Sequence, residues 1–226
     1  MIIVCNIYNN MKKKIAFLLD KKNPWIFEYY KKFYKKKFKK VKILWNTKKL
    51  LNFDILFIIN YTKKIDLKKF SSSSINLVIH ESNLPKGKGF APLQWQVLQN
   101  KKNIIFSMIK INKMIDSGPI VMKKMLKLNG LELYDELRFL QAKTIFKMID
   151  LFIKKYPKIK FKEQKGSSTF YRKRTTKDSK LNINRTIKSQ FNKLRITNNN
   201  DWPAFFIYRK QKYIIKIFKD EKFIKS

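Results

Sequence analysis

Short apolar runs alternate with amphipathic stretches along the first half of the chain. The runs "KIAFLL", "VKILW" and "DILFIINY" are typical of buried strands, and an amphipathic helix pattern begins near Pro24, between the first two of them. A further strand is predicted for "INLVIH", which ends at His80, and another for "NIIFSMIKI". Strands that alternate with helices favour a sheet built from βαβ units. The pattern therefore predicts an α/β fold.

The second half of the chain shows apolar residues at helical spacing and then a pattern typical of a hairpin. Residues 90–100 predict a short helix, and residues 132–156 carry apolar side chains at i, i+3, i+4 and i+7 spacing, which predicts a long helix on one sheet face. After Pro157 the chain becomes polar, and residues 183–196 and 202–218 then indicate a helix and a hairpin. We expect a Rossmann-like, mostly parallel sheet flanked by helices, with a small C-terminal helix-plus-hairpin appendage.

The length of 226 residues suits one main domain with a small addition. Residues 1–10 share neither the pattern nor the charge of the residues after Met11, and we interpret them as an extension before a start at Met11. Residues 11–157 form the predicted main domain, residues 158–183 a polar linker, and residues 184–226 the appendage.

The formal charge of +38 invites a nucleic-acid interpretation, because a basic surface attracts polyanions. Only six of the 53 basic residues are arginine, however, and lysines are spread along every segment. This usage favours strong A+T bias in the coding DNA. Binding to RNA or acidic lipid is compatible with the charge but does not identify a function.

A single cysteine, Cys5, excludes an intrachain disulfide and a multi-cysteine zinc site. The apolar runs are shorter than the roughly 20 residues that a membrane span requires, and the first residues lack a signal-peptide pattern. The sequence therefore predicts a cytoplasmic protein without a membrane span.

The only histidine of the chain, His80, ends a predicted strand. A lone histidine is more often a structural residue, but ligands of open α/β sheets bind beyond the carboxyl ends of strands, which is where His80 lies. Pro85, Gly87 and Gly89 predict a rigid, tightly turning loop whose backbone can approach a ligand closely. His80 and this loop are therefore a candidate site.

A second cluster, "MIDSGPI", comes after the next predicted strand and contains Asp116. Together the two clusters hold three of the five glycines and three of the six prolines, so special backbone geometry is concentrated in two loops. An ordinary turn-forming aspartate is the alternative for Asp116.

The two clusters carry a resemblance to formyltransferases that use 10-formyltetrahydrofolate. That family has an N-x-H-x-S-x-L-P strand end, a basic-Gly loop ending in Pro, a helix containing Trp and a downstream D-x-G. This chain has "VIHESNLP", "KGKGFAP", "LQWQVLQ" and "DSGPI" in the same order and at similar separations. It resembles the family from about Met11 to Tyr156, and "RKRTTKDSKLNI" with "NDWPAFFIYRKQKYIIKI" is similar to the segment after the core of amino-sugar formyltransferases.

The resemblance implies that residues 11–157 are a catalytic domain in which a substrate amine attacks the formyl carbon of the folate. His80 would shuttle a proton and steady the oxyanion, while Asp116 would hold the imidazole and stabilise its charged form. The co-substrate would be 10-formyltetrahydrofolate, and neither role needs a metal.

The resemblance also implies two binding regions around this pair. Lys88 stands where the family usually has Arg, so the positive charge is kept but the bidentate fork is lost. A solvated lysine is the alternative for Lys88, because lysines are so abundant in this chain. The folate pocket would include Tyr61, Thr62, Asp116 and Ile120, and the substrate loop would include Ser82, Lys86, Gly87, Lys88 and Gly89.

One departure from the family pattern concerns the oxyanion. The family's Asn two residues before the histidine donates a hydrogen bond to the developing oxyanion, but Val78 stands there. Asn76 lies four strand residues from His80, roughly 13 Å away. Asn83 in the loop is the better candidate donor. The charged form of His80 and a backbone N–H are alternatives, and an inactive relative is a further one.

The leading hypothesis is an N-formyltransferase that acts on a nucleotide-linked amino sugar, because few residues come after the catalytic domain. Methionyl-tRNA formyltransferases, whose partner is charged initiator tRNA, carry a fuller C-terminal β-barrel and are the alternative; glycinamide ribonucleotide formyltransferase is third. A non-catalytic RNA-binding protein, in which Trp202, Phe205 and Phe206 stack on bases, belongs to a different class. The sequence leaves a homodimer open.

Overall fold

The computed structural model describes residues 13–63, 65–70 and 74–220, so the extension predicted for residues 1–10 lies outside the described residues. The helices are α1 (Trp25–Tyr29), α2 (Pro92–Leu98), α3 (Tyr134–Lys155) and α4 (Ile187–Arg195). The strands are β1 (Ile15–Leu19), β2 (Lys42–Leu44), β3 (Ile55–Ile59), β4 (Ile75–His80), β5 (Lys88–Gly89), β6 (Asn103–Lys110), β7 (Ile120–Lys127), β8 (Phe170–Tyr171), β9 (Ala204–Tyr208) and β10 (Gln211–Ile215).

A six-stranded sheet in the order β2-β1-β3-β4-β6-β7 forms the centre of the molecule. The pairs among β1, β2, β3 and β4 are parallel, whereas β6 runs antiparallel to both β4 and β7. The chain leaves the sheet after His80, forms α2 and returns as β6. The predicted Rossmann-like, mostly parallel sheet is confirmed.

Strand β7 was not predicted from the sequence pattern. Its sequence "IVMKKMLK" has two lysines in the middle, which interrupt the apolar alternation by which strands are recognised. It lies at the edge of the sheet, where one side of the strand faces solvent and exposed lysines are tolerated.

The main core lies on the sheet face that α1 and α3 cover. Phe17 of β1 packs edge-on against Phe38 and Phe57, with ring centroids 5.5 and 5.9 Å apart. Helix α3 contributes Phe146 and Phe152, which are fully buried, as its apolar spacing predicts. Each such side chain contributes about 1.5–3 kcal/mol by leaving water.

The helix predicted from Pro24 onward is regular only over α1, after which it widens into a π-turn at Tyr30–Tyr34. The turn brings the ring of Tyr34 onto Phe146, with centroids 4.3 Å apart. Aromatic packing against α3 thus accompanies the change of helical period.

The opposite face of the sheet carries a smaller apolar cluster. Side chains alternate along β4, so that Leu77 and Ile79 join the main core whereas Val78 packs on the smaller cluster. His80 lies two positions after Val78 and is therefore on the same, more thinly covered face. None of the helices in the described ranges is long and apolar enough to cross a bilayer.

Helix α4 and the β9–β10 hairpin form the appendage that was predicted at the C-terminal end. They enclose a small cluster around Leu181, Leu194 and Ala204. A buried ion pair joins the appendage to the main domain: Nη1 of Arg195 lies 3.0 Å from the carbonyl oxygen of Glu132 and 3.3 Å from its Oε2. Burial lowers the pKa of the Arg195 guanidinium, although the Glu132 carboxylate opposes this effect.

Candidate active site

The two loops that the sequence singled out meet at the ring of His80. Nδ1 of His80 lies 3.5 Å from Oδ1 of Asp116, and both side chains are largely buried. On the other side of the ring, Nε2 lies 2.8 Å from the carbonyl oxygen of Gly87. The imidazole is therefore held between one loop that begins after β4 and another that joins β6 to β7.

Asp116 is fixed in place from several directions. Its φ of 52° lies in the left-handed region, which aspartate tolerates better than most residues. The backbone N–H of Gly89 donates to Oδ2 of Asp116 at 3.0 Å. One carboxylate thus contacts the His80 ring through Oδ1 and ties down the glycine loop through Oδ2.

Both ring nitrogens of His80 face acceptors. The neutral ring carries one N–H and can satisfy only one of the two, whereas the imidazolium can donate both to Asp116 and to the Gly87 carbonyl. The arrangement suits a histidine that takes up a proton and passes it on.

Gly118 lets the Asp116 loop approach strand β6. A Cβ atom at this position would lie 1.6 Å from the carbonyl oxygen of Lys110, so a larger residue forces the loop away. The backbone N–H of Lys110 in turn donates to the carbonyl of Pro119 at 2.9 Å.

We predict that Gly118→Ala lowers the free energy of unfolding by about 1–3 kcal/mol through this clash. Any activity that depends on the position of Asp116 should fall by about 10²-fold, since the displaced loop carries this residue. Chemical denaturation and steady-state kinetics measure the two effects. Gly130→Ala is the control for the kinetics, because its Cβ would meet only the Lys102 side chain, at 3.9 Å; its φ of 93° strains an alanine, so this variant also loses stability. Equal kinetic losses in both variants would contradict the proposed contribution of Gly118.

Lys123 and Ser107 anchor the loop that begins after His80. The ammonium of Lys123 on β7 donates to Oδ1 of Asn83 at 2.6 Å and to the carbonyl of Leu84 at 2.9 Å. Burial lowers the pKa of Lys123. Ser107 Oγ donates to the carbonyl of Ser82 at 2.7 Å, while Oγ of Ser82 is buried without a partner among the described residues.

Asn83, the predicted oxyanion donor, is exposed and directs its side-chain carbonyl to Lys123. Its role in catalysis stays a prediction. Val78, at the position of the family's Asn, packs in the smaller apolar cluster with Tyr61 and Ile111. Asn76 donates to Ser74 at 2.8 Å within the sheet.

The residues predicted for the folate pocket lie at the ends of strands. Oγ1 of Thr62 donates to Oδ2 of Asp20 at 2.7 Å, just beyond β3 and β1. Although burial opposes ionisation, hydrogen bonds from Thr62 and from the N–H of Lys22 lower the pKa of Asp20. Burial raises the pKa of Tyr61. Ile120 opens β7 and pairs with Ile109 of β6.

The predicted substrate loop borders a cleft of about 540 Å³. Lys88 does not line this cleft and is buried, with its ammonium donating to Oγ of Ser117 at 2.8 Å. It is therefore not the solvated lysine that was the alternative interpretation. The cleft is lined by Ser82, Asn83, Lys86, Gly87, Gln96, Gln99, Lys101, Thr169, Phe170 and Tyr171.

The segment predicted as a linker packs directly on these loops. Strand β8, within residues 158–183, pairs in parallel with β5 of the glycine loop. Gln164 donates hydrogen bonds to the backbone of the Asp116 loop, and Thr169 accepts one from the backbone of the glycine loop. The segment is polar and has no apolar period, so its sequence offered no signal for these contacts.

Comparison with known proteins gives sequence relatives that are mostly methionyl-tRNA formyltransferases, with a bifunctional polymyxin resistance protein from Wigglesworthia glossinidia brevipalpis also among them. A methionyl-tRNA formyltransferase from Thermodesulfovibrio yellowstonii is 31% identical over 180 residues, which are 76% of this chain and 56% of that protein. The chain spans about half the length of the curated relatives it matches. No family model matches the chain.

Solved structures share the fold at low sequence identity. Methionyl-tRNA formyltransferase from Clostridium thermocellum has a TM-score of 0.77 at 22% identity, with 93% of this chain and 94% of that chain covered. HypX from Aquifex aeolicus, in complex with tetrahydrofolic acid, has a TM-score of 0.72 at 12% identity, with 92% of this chain and 38% of that chain covered. Sugar N-formyltransferases are also among the structures with this fold. The sequence relatives and this shared fold confirm the predicted resemblance of the chain to the formyltransferase family.

Proposed function

We propose that the protein transfers a formyl group from 10-formyltetrahydrofolate to a primary amine. The observation that carries this proposal is the His80 ring, held between Asp116 and the Gly87 carbonyl at the carboxyl end of β4. Similarity to formyltransferases supports the reaction, and the tetrahydrofolic acid bound to a protein of the same fold supports the co-substrate.

The reaction exchanges one C–N bond for another. The amine nitrogen of the acceptor attacks the formyl carbon and gives a tetrahedral intermediate, after which the bond from that carbon to N10 of the folate breaks. His80 takes the proton that the amine loses and delivers it to N10, so that no net proton is consumed. Asp116 stabilises the imidazolium between these two transfers.

The oxyanion of the intermediate needs a hydrogen-bond donor, which the apolar side chain of Val78 cannot supply. We propose Asn83, whose amide N–H groups can turn toward the site while its carbonyl accepts from Lys123. The imidazolium of His80 is the second candidate donor. Loss of one oxyanion donor costs about 3–4 kcal/mol of barrier in other enzymes, so the donor that replaces the family's Asn matters for the rate.

We place the folate at Tyr61, Thr62, Asp116 and Ile120. Tyr61 belongs to the smaller apolar cluster on the sheet face that also carries His80, which suits an apolar wall for a flat ring system. The acceptor then approaches through the loop of Ser82, Lys86, Gly87, Lys88 and Gly89, which borders the cleft.

We propose methionyl-tRNA as the acceptor, because methionyl-tRNA formyltransferases predominate among the sequence relatives. The formal charge of +38 is also favourable for a polyanionic substrate. A nucleotide-linked amino sugar, the acceptor expected from the sequence, is the second candidate. The similarity of the segment after the core to amino-sugar formyltransferases supports it.

The test is an acceptor comparison with the purified chain and 10-formyltetrahydrofolate. We expect saturable formylation of initiator methionyl-tRNA, with kcat/KM about 10³-fold lower in the His80→Ala variant. If a nucleotide-linked amino sugar is formylated and methionyl-tRNA is not, the proposed tRNA acceptor is wrong but the proposed formyl transfer stands. Salt-sensitive RNA binding without formylation of any amine and without binding of a folate analogue would overturn the proposed function in favour of a binding protein.

A further inference from the structure

One stretch of the predicted linker crosses both loops of the candidate site. We call residues 162–171 the crossing segment. At its start, Lys162 and Ile120 exchange two backbone hydrogen bonds of 2.9 and 2.7 Å. At its end, the backbone N–H of Phe90 donates to the carbonyl of Tyr171 at 3.2 Å. The crossing segment is thus attached beside the Asp116 loop at one end and beside the glycine loop at the other.

Gln164 of the crossing segment supports the Asp116 side of the ring. Its Nε2 donates to the carbonyl of Asp116 at 2.9 Å and to that of Gly118 at 2.8 Å. Both partners are carbonyls, so the amide nitrogen and not the oxygen faces the loop. These two bonds hold the peptide groups that follow Asp116 and Gly118, in the loop where Asp116 adopts its left-handed conformation.

Thr169 supports the other side of the ring. Its Oγ1 accepts from the backbone N–H of Gly87 at 2.8 Å, and its carbonyl accepts from the N–H of Lys88 at 2.9 Å. The carbonyl of Gly87 is the group that lies 2.8 Å from Nε2 of His80. Thr169 therefore fixes the residue whose oxygen faces the second ring nitrogen.

We propose that Gln164 and Thr169 are positioning residues for His80, each acting through one of the two acceptors of its ring. Gln164 acts through Asp116 on Nδ1, and Thr169 acts through Gly87 on Nε2. The catalytic part of this inference rests on the proposed function. Hydrogen-bonded neighbours that orient a catalytic group contribute to rate by keeping its geometry, without contacting the reacting atoms.

Kinetics of isosteric variants test the proposal. Gln164→Leu is expected to lower kcat by about 10- to 100-fold and to leave KM within about twofold, because orientation is lost but the binding surface is kept. Thr169→Val should lower kcat by about 10-fold, and Thr169→Ser should restore it, since serine keeps the hydroxyl acceptor. Exposed Gln211→Leu and Thr176→Val are matched controls that should leave kcat unchanged.

Nuclear magnetic resonance of the ring nitrogens separates positioning from general destabilisation. The chain has one histidine, so labelled imidazole gives a single pair of ring ¹⁵N signals. We expect Gln164→Leu to shift mainly Nδ1 and Thr169→Val to shift mainly Nε2, while the two controls shift neither. Ring signals that match wild type in both variants would overturn the proposal. This readout needs no acceptor, so it stands even if the proposed formyl transfer fails.

Discussion

Replacement of His80 with alanine is expected to lower kcat/KM for formyl transfer by about 10³-fold, because the proton then has no carrier between the amine and N10 of the folate. The ring lies between Asp116 and the Gly87 carbonyl, and no second histidine exists to replace it. Steady-state kinetics with the accepted amine measure the loss. Thermal unfolding should change little, since the ring contributes little to the main core.

Asp116→Asn should lower kcat/KM by about 10²- to 10³-fold while keeping the shape of the loop. The amide retains an oxygen that can accept from Gly89, but it no longer stabilises a charged ring. Exposed Asp201→Asn, in the loop before β9, is the matched control and should keep full activity. Turnover within about tenfold of wild type in Asp116→Asn would remove the carboxylate from the proposed mechanism.

Arg195→Met is expected to lower the free energy of unfolding by about 3–5 kcal/mol, because Glu132 would remain buried without its cation. Arg195 is 2% exposed, and its guanidinium also donates to the Glu132 carbonyl. Urea unfolding monitored by tryptophan fluorescence measures the change. A single transition that shifts as a whole to lower urea would show that the appendage and the main domain unfold together.

The controls for Arg195→Met are a variant that breaks an exposed ion pair and a double-mutant cycle with Glu132. Lys219→Ala, which breaks the pair between Lys219 and Glu136, should cost less than about 1 kcal/mol because both groups are accessible to water. In a Glu132→Gln background, Arg195→Met should cost less than it does alone. A cost for Arg195→Met as small as that for Lys219→Ala would contradict a structural role for the buried pair.

The sequence predicted the central elements well because their signals are local. The apolar runs of β1, β3 and β4 are short and bounded by polar residues, and α3 carries an unbroken helical period. Strand β7 was missed because the lysines in the middle of the strand interrupt the apolar alternation. The π-turn after α1 was missed because its sequence has an ordinary amphipathic pattern, and the packing of Tyr34 on Phe146 that accompanies it joins distant segments.

The part of the site that lies beside clustered glycines and prolines was predictable from the sequence. His80 and Asp116 stand next to clustered glycines and prolines, and the structure brings them within 3.5 Å of each other. Gln164 and Thr169 could not be found in this way. They act through hydrogen bonds to distant backbone groups, and a polar segment has the same sequence character whether it is solvated or packed.

The most direct test of the central claim is a titration with 5-formyltetrahydrofolate, a stable isomer of the co-substrate, while the imidazole signals of His80 are recorded. Because the chain has one histidine, the signals need no assignment by mutation. We predict saturable shifts of the ring signals that track the binding curve measured by calorimetry. Calorimetric binding that leaves the His80 signals unchanged would place the folate elsewhere and contradict a formyl-transfer site at His80 and Asp116.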